Sequence, residues 1–325
     1  MKKWLSAFMM LTLVLVLAAC SGDDKKEETE DAAKEDDAKT EEATTIEVTH
    51  ELDKEPVVVP VNPEKVAVFD LGALDTMQEL GLEDHIVGLP QATVPAYLDQ
   101  FKDEKYKNFG SLKEPVFEEV HAAKPDLIII SARQADMYDE FKEIAPTVYM
   151  ELDTKNYLES FETNAKLIGQ MFDKEAEIDT ALEEIEGKVA DVKADAEKSE
   201  VEALVVLGTE GKVSAYGPGS RFGLVHDVLG VTPVDENIED SRHGQSITYE
   251  YILEQNPDVM FIIDRDQAIG NGASVKESIE NDIVQKTDAF KNDKMVYLNG
   301  EVWYLAGGGL GSMNTMIDEV AEGLK

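Results

Sequence analysis

FEEVHAAKPDLIIISAR (residues 117–133) and YEYILEQNPDVMFIIDR (residues 249–265) have equal length and align without a gap. Each opens on an aromatic residue, a Glu, any residue, then Val or Ile. Each carries Pro-Asp at its ninth and tenth positions, runs on through an apolar stretch and closes on an arginine. Physically this is a helix, a proline turn that ends it, and a buried parallel strand with Arg133 or Arg265 at its carboxyl end. The repeat predicts two related α/β blocks, and in open α/β sheets ligands bind outside the carboxyl ends of the strands. The two arginines are therefore expected at a cleft between facing lobes.

Working outward, strand-like and helix-like patterns alternate from Ile46 onward. VAVF (66–69), the start of HIVGLP (85–90), 127–130 and 147–150 read as strands of the first block, with a helix after VAVF that ends at Gly81. ALVVLG (203–208), KVSAYG (212–217), VMFIID (259–264) and KMVYLNG (294–300) read as strands of the second. Between the blocks, Ile178, Leu182, Ile185, Val189 and Val192 fall on one helical face. A helix over 174–198 spans roughly 37 Å at 1.5 Å per residue and is expected to connect the blocks. The glycines of AGGGLG (306–311) are expected to allow close backbone approach before a last helix over 312–325.

The chain carries 30 basic and 68 acidic residues, a formal charge of −38. So acidic a protein repels polyanions unless positive charge is gathered locally, so no nucleic-acid partner is expected. Only four of the basic residues are arginines: Arg133, Arg221, Arg242 and Arg265. The guanidinium offers a rigid fork and a permanent charge suited to oxyanions. Arg221, in the turn-rich YGPGSRFG (216–223), and Lys113, in GSLKEP just before the first repeat unit, join Arg133 and Arg265 as candidate anion-binding residues. Trp303 and Tyr304, in EVWYLAGGG, are candidates for stacking on aromatic ligand rings or approaching the guanidinium groups.

The first residues, Met1-Lys2-Lys3-Trp4, precede a short apolar run and then LAAC, Leu17 to Cys20. The run is too short for a membrane span and reads as a signal peptide over 1–19. LAAC resembles the lipobox of bacterial lipoproteins, which implies cleavage before Cys20 and its lipidation. The stretch 21–45 holds eleven acidic and four basic residues and no aromatic. It is expected to be a disordered tether to the outer face of the cell membrane. Cys20 is the single cysteine, so no intrachain disulfide forms.

With only five histidines and no HxH or HxxxH spacing, direct coordination of a metal by the protein is not expected. No P-loop and no nucleophile elbow is present, so a secreted enzyme acting on an anionic substrate is the weaker reading.

Taken together, the LAAC signal, the acidic tether, KVAVFDLGALD, VFEEVHAAKPDLIIISAR, the long helix, GPGSRFGLVHDVLGV, HGQSITYEYI and VWYLAGGGLGSM resemble the substrate-binding lipoproteins of bacterial iron-siderophore ABC importers. The likeness is strongest to catecholate-type, petrobactin-binding members of Gram-positive bacteria. It covers nearly the whole chain from Cys20. It implies two Rossmann-like lobes joined by a single long helix, with the ligand cleft between them: an N-terminal lobe over 46–155, a connecting helical segment over 156–200 and a C-terminal lobe over 201–325. It further implies a ferric siderophore held by Lys113, Arg133, Arg221 and Arg265, with iron bound only through the siderophore and no cofactor of the protein's own. By the same resemblance Glu118 and Glu250, the matched glutamates of the repeat, dock on the ABC permease. Arg242 matches no pocket position. A monomer is expected; a haem or corrinoid carrier on the same scaffold is the nearest alternative, and haem would favour a His, Tyr or Met axial ligand.

Overall fold

The structure, a computed structural model, describes residues 44–325 apart from 210, 242, 271 and 273. The signal peptide, Cys20, nearly all of the acidic tether and Arg242 lie outside the described residues. Among the described residues no helix is long and apolar enough to cross a membrane.

Three sheets form. β1 (Thr45–Val48) and β2 (Val57–Pro60) make an antiparallel hairpin. β3 (Val66–Val68), β4 (Ile86–Leu89), β5 (Lys107–Asn108), β6 (Leu127–Ile130) and β7 (Thr147–Tyr149) form a wholly parallel sheet in the order β5-β4-β3-β6-β7. The chain moves outward one way from β3 and then returns to its other side at β6. The carboxyl ends of β3 and β6 therefore flank the crevice where doubly wound sheets bind ligands. All residues of β3 and β6 are buried, as strands covered on both faces must be.

The second large sheet contains β8 (Glu202–Thr209), β9 (Lys212–Tyr216), β10 (Thr232–Pro233), β11 (Gln245–Ile247), β12 (Val259–Asp264) and β13 (Met295–Leu298). Its order is β11-β9-β8-β12-β13, with β10 beside the start of β8. The sheet is mixed: β9 turns back antiparallel to β8 across a two-residue connection that includes Gly211 at φ +74°.

The repeat has one structural job in both lobes. Its helices, Phe117–Ala123 and Tyr249–Gln255, end on left-handed residues, Lys124 and Asn256. The Pro-Asp that follows then ties the incoming strand to the central one. Asp126 accepts the amides of Glu64 and Lys65 at 2.8 and 2.9 Å, just before β3. Asp258 accepts the amide of Glu202, the first residue of β8, at 3.0 Å. Each aspartate thus sets the register of the strand that leads to the arginine.

The segment before the C-terminal lobe is two helices, Tyr157–Met171 and Glu175–Ser199, separated at Asp173 with φ +51°. In the longer one, Ile178, Leu182, Ile185, Val189 and Val192 are buried as one stripe, extended by Ala196. That stripe packs with β8, β12 and the last helix in the core of the C-terminal lobe. The shorter helix serves both cores: Tyr157, Phe161 and Ala165 face the C-terminal one, Ile168 and Met171 the N-terminal one.

A second crossing of the lobe boundary comes from the end of the chain. In the helical turn Glu301–Ala306, Val302 and Trp303 belong to the C-terminal core, Leu305 and Ala306 to the N-terminal core, and Tyr304 packs against both. The glycines that follow do approach backbone closely: a Cβ on Gly72, in the helix Leu71–Glu79, would lie 3.0 Å from Gly307 O and 3.1 Å from Gly309 N. The last helix runs Leu310–Leu324, starting two residues earlier than its sequence pattern suggests.

Candidate functional site: an arginine cluster on Tyr304

Arg133 and Arg265 follow the equivalent strands β6 and β12, each next to the central strand of its sheet. The Nη2 of Arg133 donates to the carbonyl of Tyr304 at 2.7 Å. The Nη2 of Arg221 donates to the same oxygen at 2.6 Å. Arg265 Nε donates to the Tyr304 hydroxyl at 3.0 Å. One residue at the lobe boundary thus gathers a guanidinium from the N-terminal lobe and two from the C-terminal lobe.

Each arginine sits on an anchored stretch of chain. Beside Arg133, Gln134 is fully buried; its Oε1 accepts the Ser131 amide and hydroxyl, both at 3.1 Å. Its Nε2 donates to Leu112 O at 2.5 Å, which binds the Lys113 turn to the Arg133 turn. Arg221 stands between Ser220 and Phe222, both about fully buried, with its guanidinium carbon 4.3 Å from the Tyr304 ring centroid. For Arg265 the support is a chain: Nη1 donates to Thr209 Oγ1 at 3.2 Å, and that hydroxyl donates to the buried Asp266 at 2.8 Å. Nη1 also lies 3.5 Å from Asp266 Oδ1. Held by Tyr304, and in Arg265 also by Thr209 and Asp266, a guanidinium loses little further conformational freedom when it meets an anion.

Charges at the site move its titratable groups. Burial alone raises the Tyr304 phenol, but the Arg265 hydrogen bond and the positive charges of Arg221 and Arg265 outweigh it and bring it below the ordinary tyrosine value. Asp70, the cap of the helix Leu71–Glu79, accepts the Ala73 amide at 2.6 Å. Burial raises its carboxyl, opposed by that amide and by the charge of Arg133. The site is a positively charged, partly covered surface in a strongly acidic chain. Its donors are forked and spread over two lobes, an arrangement that suits a multiply charged oxygen-rich anion.

Of the residues singled out from sequence, Arg133, Arg221, Arg265 and Tyr304 come together. Lys113 is exposed at a turn closed by Ser111 Oγ accepting the Glu114 amide at 3.0 Å, on the rim joined to Arg133 through Gln134. Trp303 departs from expectation. It is 3% exposed, its ring lies edge-on to Phe222 with centroids 6.4 Å apart, and its indole N–H donates to Glu319 at 2.7 Å. The turn Glu301–Ala306 sends neighbouring side chains in different directions, so Trp303 enters the C-terminal core while Tyr304 takes the boundary. Burial raises the Glu319 carboxyl, and the Trp303 N–H acts against that. Replacing Trp303 with Phe is therefore expected to lower stability by about 1.5–3 kcal/mol, the range for losing a hydrogen bond to a charged group. Ligand affinity is expected to stay within about twofold, since the ring is not at the site; urea unfolding and a binding titration on the same variant check both. Thr209, Asp266 and Gln134 escaped the sequence reading. The adjacency of Gln134 to Arg133 and of Asp266 to Arg265 was the available signal for two of them; Thr209 had none. Among the described residues no group of His, Cys, Asp or Glu is arranged to hold a metal ion.

Two α/β lobes that meet at an arginine cluster have the form of a solute-binding protein, and the chain belongs to the periplasmic binding protein family, whose model matches residues 66–302. Over its full length, and all of the relative's, it is 49% identical to the petrobactin-binding protein YclQ of Bacillus subtilis. It is 33% identical to the ferric-anguibactin-binding protein FatB of Vibrio anguillarum, over 86% of this chain and 88% of that protein. The crystal structure of YclQ from Bacillus subtilis superposes with a TM-score of 0.85 at 53% identity, covering 86% of this chain and 99% of that one.

Proposed function

We propose that this protein captures a ferric siderophore of the catecholate type, petrobactin in the first instance, and hands it to an ABC permease for iron uptake. The observation that carries this reading is the convergence of Arg133, Arg221 and Arg265 on Tyr304 from both lobes. A ferric catecholate or catecholate-citrate complex carries several negative charges on oxygens around the metal. A cation–anion pair at about 4 Å gains roughly 4 kcal/mol at an effective dielectric near 20, before desolvation. Three such pairs leave room for micromolar or tighter binding, about −8 kcal/mol, after the costs of association. The metal travels inside the chelate, and the protein binds the chelate's oxygens and rings. The relatives' names, petrobactin-binding and ferric-anguibactin-binding, support the same ligand class.

The remaining parts of the reading concern delivery. The LAAC motif supports removal of residues 1–19 and anchoring of the lipidated Cys20 at the outer face of the membrane. Glu118 and Glu250 are both exposed, on the first turns of the equivalent repeat helices. Glu118 also borders an open groove with Phe117, His121, Glu140, Glu143 and Ile144, an acidic setting that suits basic residues on a permease. A matched exposed carboxylate on each lobe allows the permease to engage both halves of the carrier at once.

Intrinsic fluorescence of the full chain, titrated with ferric petrobactin, ferric enterobactin, ferric citrate, a ferric hydroxamate and haem, tests the ligand class. Saturable quenching by a catecholate complex at micromolar concentration or below is expected. Binding of haem alone would overturn the reading.

A further inference from the structure

Asp75 is fully buried yet belongs to no part of the arginine cluster. It stands in the helix Leu71–Glu79 of the N-terminal lobe, and its Oδ2 accepts the amide of Ser312, in the first turn of the last helix, at 2.7 Å. Next to it, Thr76 Oγ1 accepts the amide of Leu310 at 3.2 Å. These two bonds join the N-terminal lobe to the helix that begins four residues after the Tyr304 turn ends. No slack exists there: a Cβ on Gly309 would lie 2.5 Å from Gly72 O and 2.7 Å from Asp75 Cβ.

The carboxylate is poorly satisfied in this position. Among the described residues its buried Oδ1 has no hydrogen-bond partner. A Cβ on Gly311 would sit 2.7 Å from that oxygen and 3.0 Å from Glu79 Oε1, so two carboxyl groups border the same point. Tyr97, in the short helix Ala96–Lys102, feels the charge of Asp75 together with those of Asp70, Glu79 and Glu301, so the groups sharing this corner are acidic or phenolic. From the last helix come backbone amides and the Ser312 hydroxyl; the helix Tyr157–Met171 adds the Tyr157 phenol near Gly307. A buried charge with one oxygen unpaired and a like charge nearby works against the contact that surrounds it.

We propose that Asp75 is a positioning residue of the ligand cleft: it clasps the last helix across the lobe boundary, and its charge state sets how firmly the Tyr304 turn is held against the N-terminal lobe. Protonated, it keeps the bond to Ser312 and gains a proton to offer Glu79; ionised, it favours separation and hydration. Burial, followed by the Glu79 charge and opposed by the Ser312 and Gly311 contacts, pushes the carboxyl up to about 6, so the change of state falls near neutral pH. The sign follows from linkage. A folded-state value of about 6, above the unfolded value near 4, means that protonation favours the clasped form and that this advantage is lost as pH rises through 6. The consequence for the ligand rests on the reading of Tyr304 and its arginines as the ligand contact.

The test compares the full chain with its Asp75→Asn variant, whose amide mimics the protonated acid, from about pH 5 to about pH 8. Two ratios are read at each pH, wild type over variant: the dissociation rate of ferric petrobactin and the exchange rate of the Leu310 and Ser312 amides. Ratios cancel the intrinsic pH dependence of ligand and exchange chemistry. Both are expected to be severalfold above one at the alkaline end and to approach one at the acid end. Glu79→Gln, which removes the like charge, is expected to move the midpoint of that change to lower pH. Exchange ratios of one at every pH would overturn the proposal, as would a variant whose helix start exchanges faster. Altered exchange with an unchanged dissociation ratio would leave Asp75 a structural residue only and would equally overturn it. If ferric petrobactin bound neither protein, the reading of the arginine site would fail, while the exchange ratios would still decide the clasp.

Discussion

Replacing Arg133 or Arg265 with alanine is expected to weaken binding of ferric petrobactin roughly 30- to 150-fold, about 2–3 kcal/mol, with the fold intact. Each substitution removes a forked, charge-assisted donor held in place before the ligand arrives. The turn that carries Arg133 is anchored by Gln134, and the Arg265 guanidinium is held by Thr209, which in turn donates to Asp266. The fold is expected to survive because both side chains lie at strand ends on the lobe boundary and are only partly buried. The double variant is not expected to show the sum of the two losses. Both guanidinium groups contact Tyr304, and residues that share a partner couple. Fluorescence titration alongside thermal unfolding measures both quantities, and unchanged affinity in both single variants would remove the arginine cluster from the ligand site.

The second large effect concerns transport. With Glu118 and Glu250 both changed to alanine, iron uptake from the ferric siderophore is expected to fall to background while affinity in vitro stays within about twofold. Both carboxylates are exposed on the repeat helices rather than at the Tyr304 cluster. Their removal takes away a favourable helix-dipole contact of a few tenths to about 1 kcal/mol, too little to unfold the chain. Each single variant is expected to retain part of the uptake, since one lobe would still engage. If the double variant lost ligand binding in vitro, those glutamates would belong to the cleft or the core instead of a docking surface.

How far the sequence reaches is clearest in the repeat. Helix, Pro-Asp and buried strand are local patterns, so β6 and β12 and the arginines at their ends could be read directly from residues 117–133 and 249–265. The task of Asp126 and Asp258 could not, because their partners Glu64, Lys65 and Glu202 are far away in sequence. The reversed direction of β9 was hidden for a related reason. KVSAY alternates as a strand of either polarity would, and direction depends on the tight connection at Gly211. Trp303 and Tyr304 show a finer limit. Adjacent aromatics both suit a ligand face, and only the irregular turn Glu301–Ala306 decides that one goes to the core and the other to the boundary. Asp75 was illegible for a similar reason, since within DLGALDTMQELG it reads as an ordinary helix carboxylate until the last helix is seen resting on it.

The central claim is that one ligand is held by arginines from both lobes around Tyr304. A crystal structure of the protein with ferric petrobactin tests it most directly. The expected result is chelate oxygens within hydrogen-bond reach of Arg133 on one side and of Arg221 and Arg265 on the other. A ligand seated on one lobe alone, or away from Tyr304, would contradict the account.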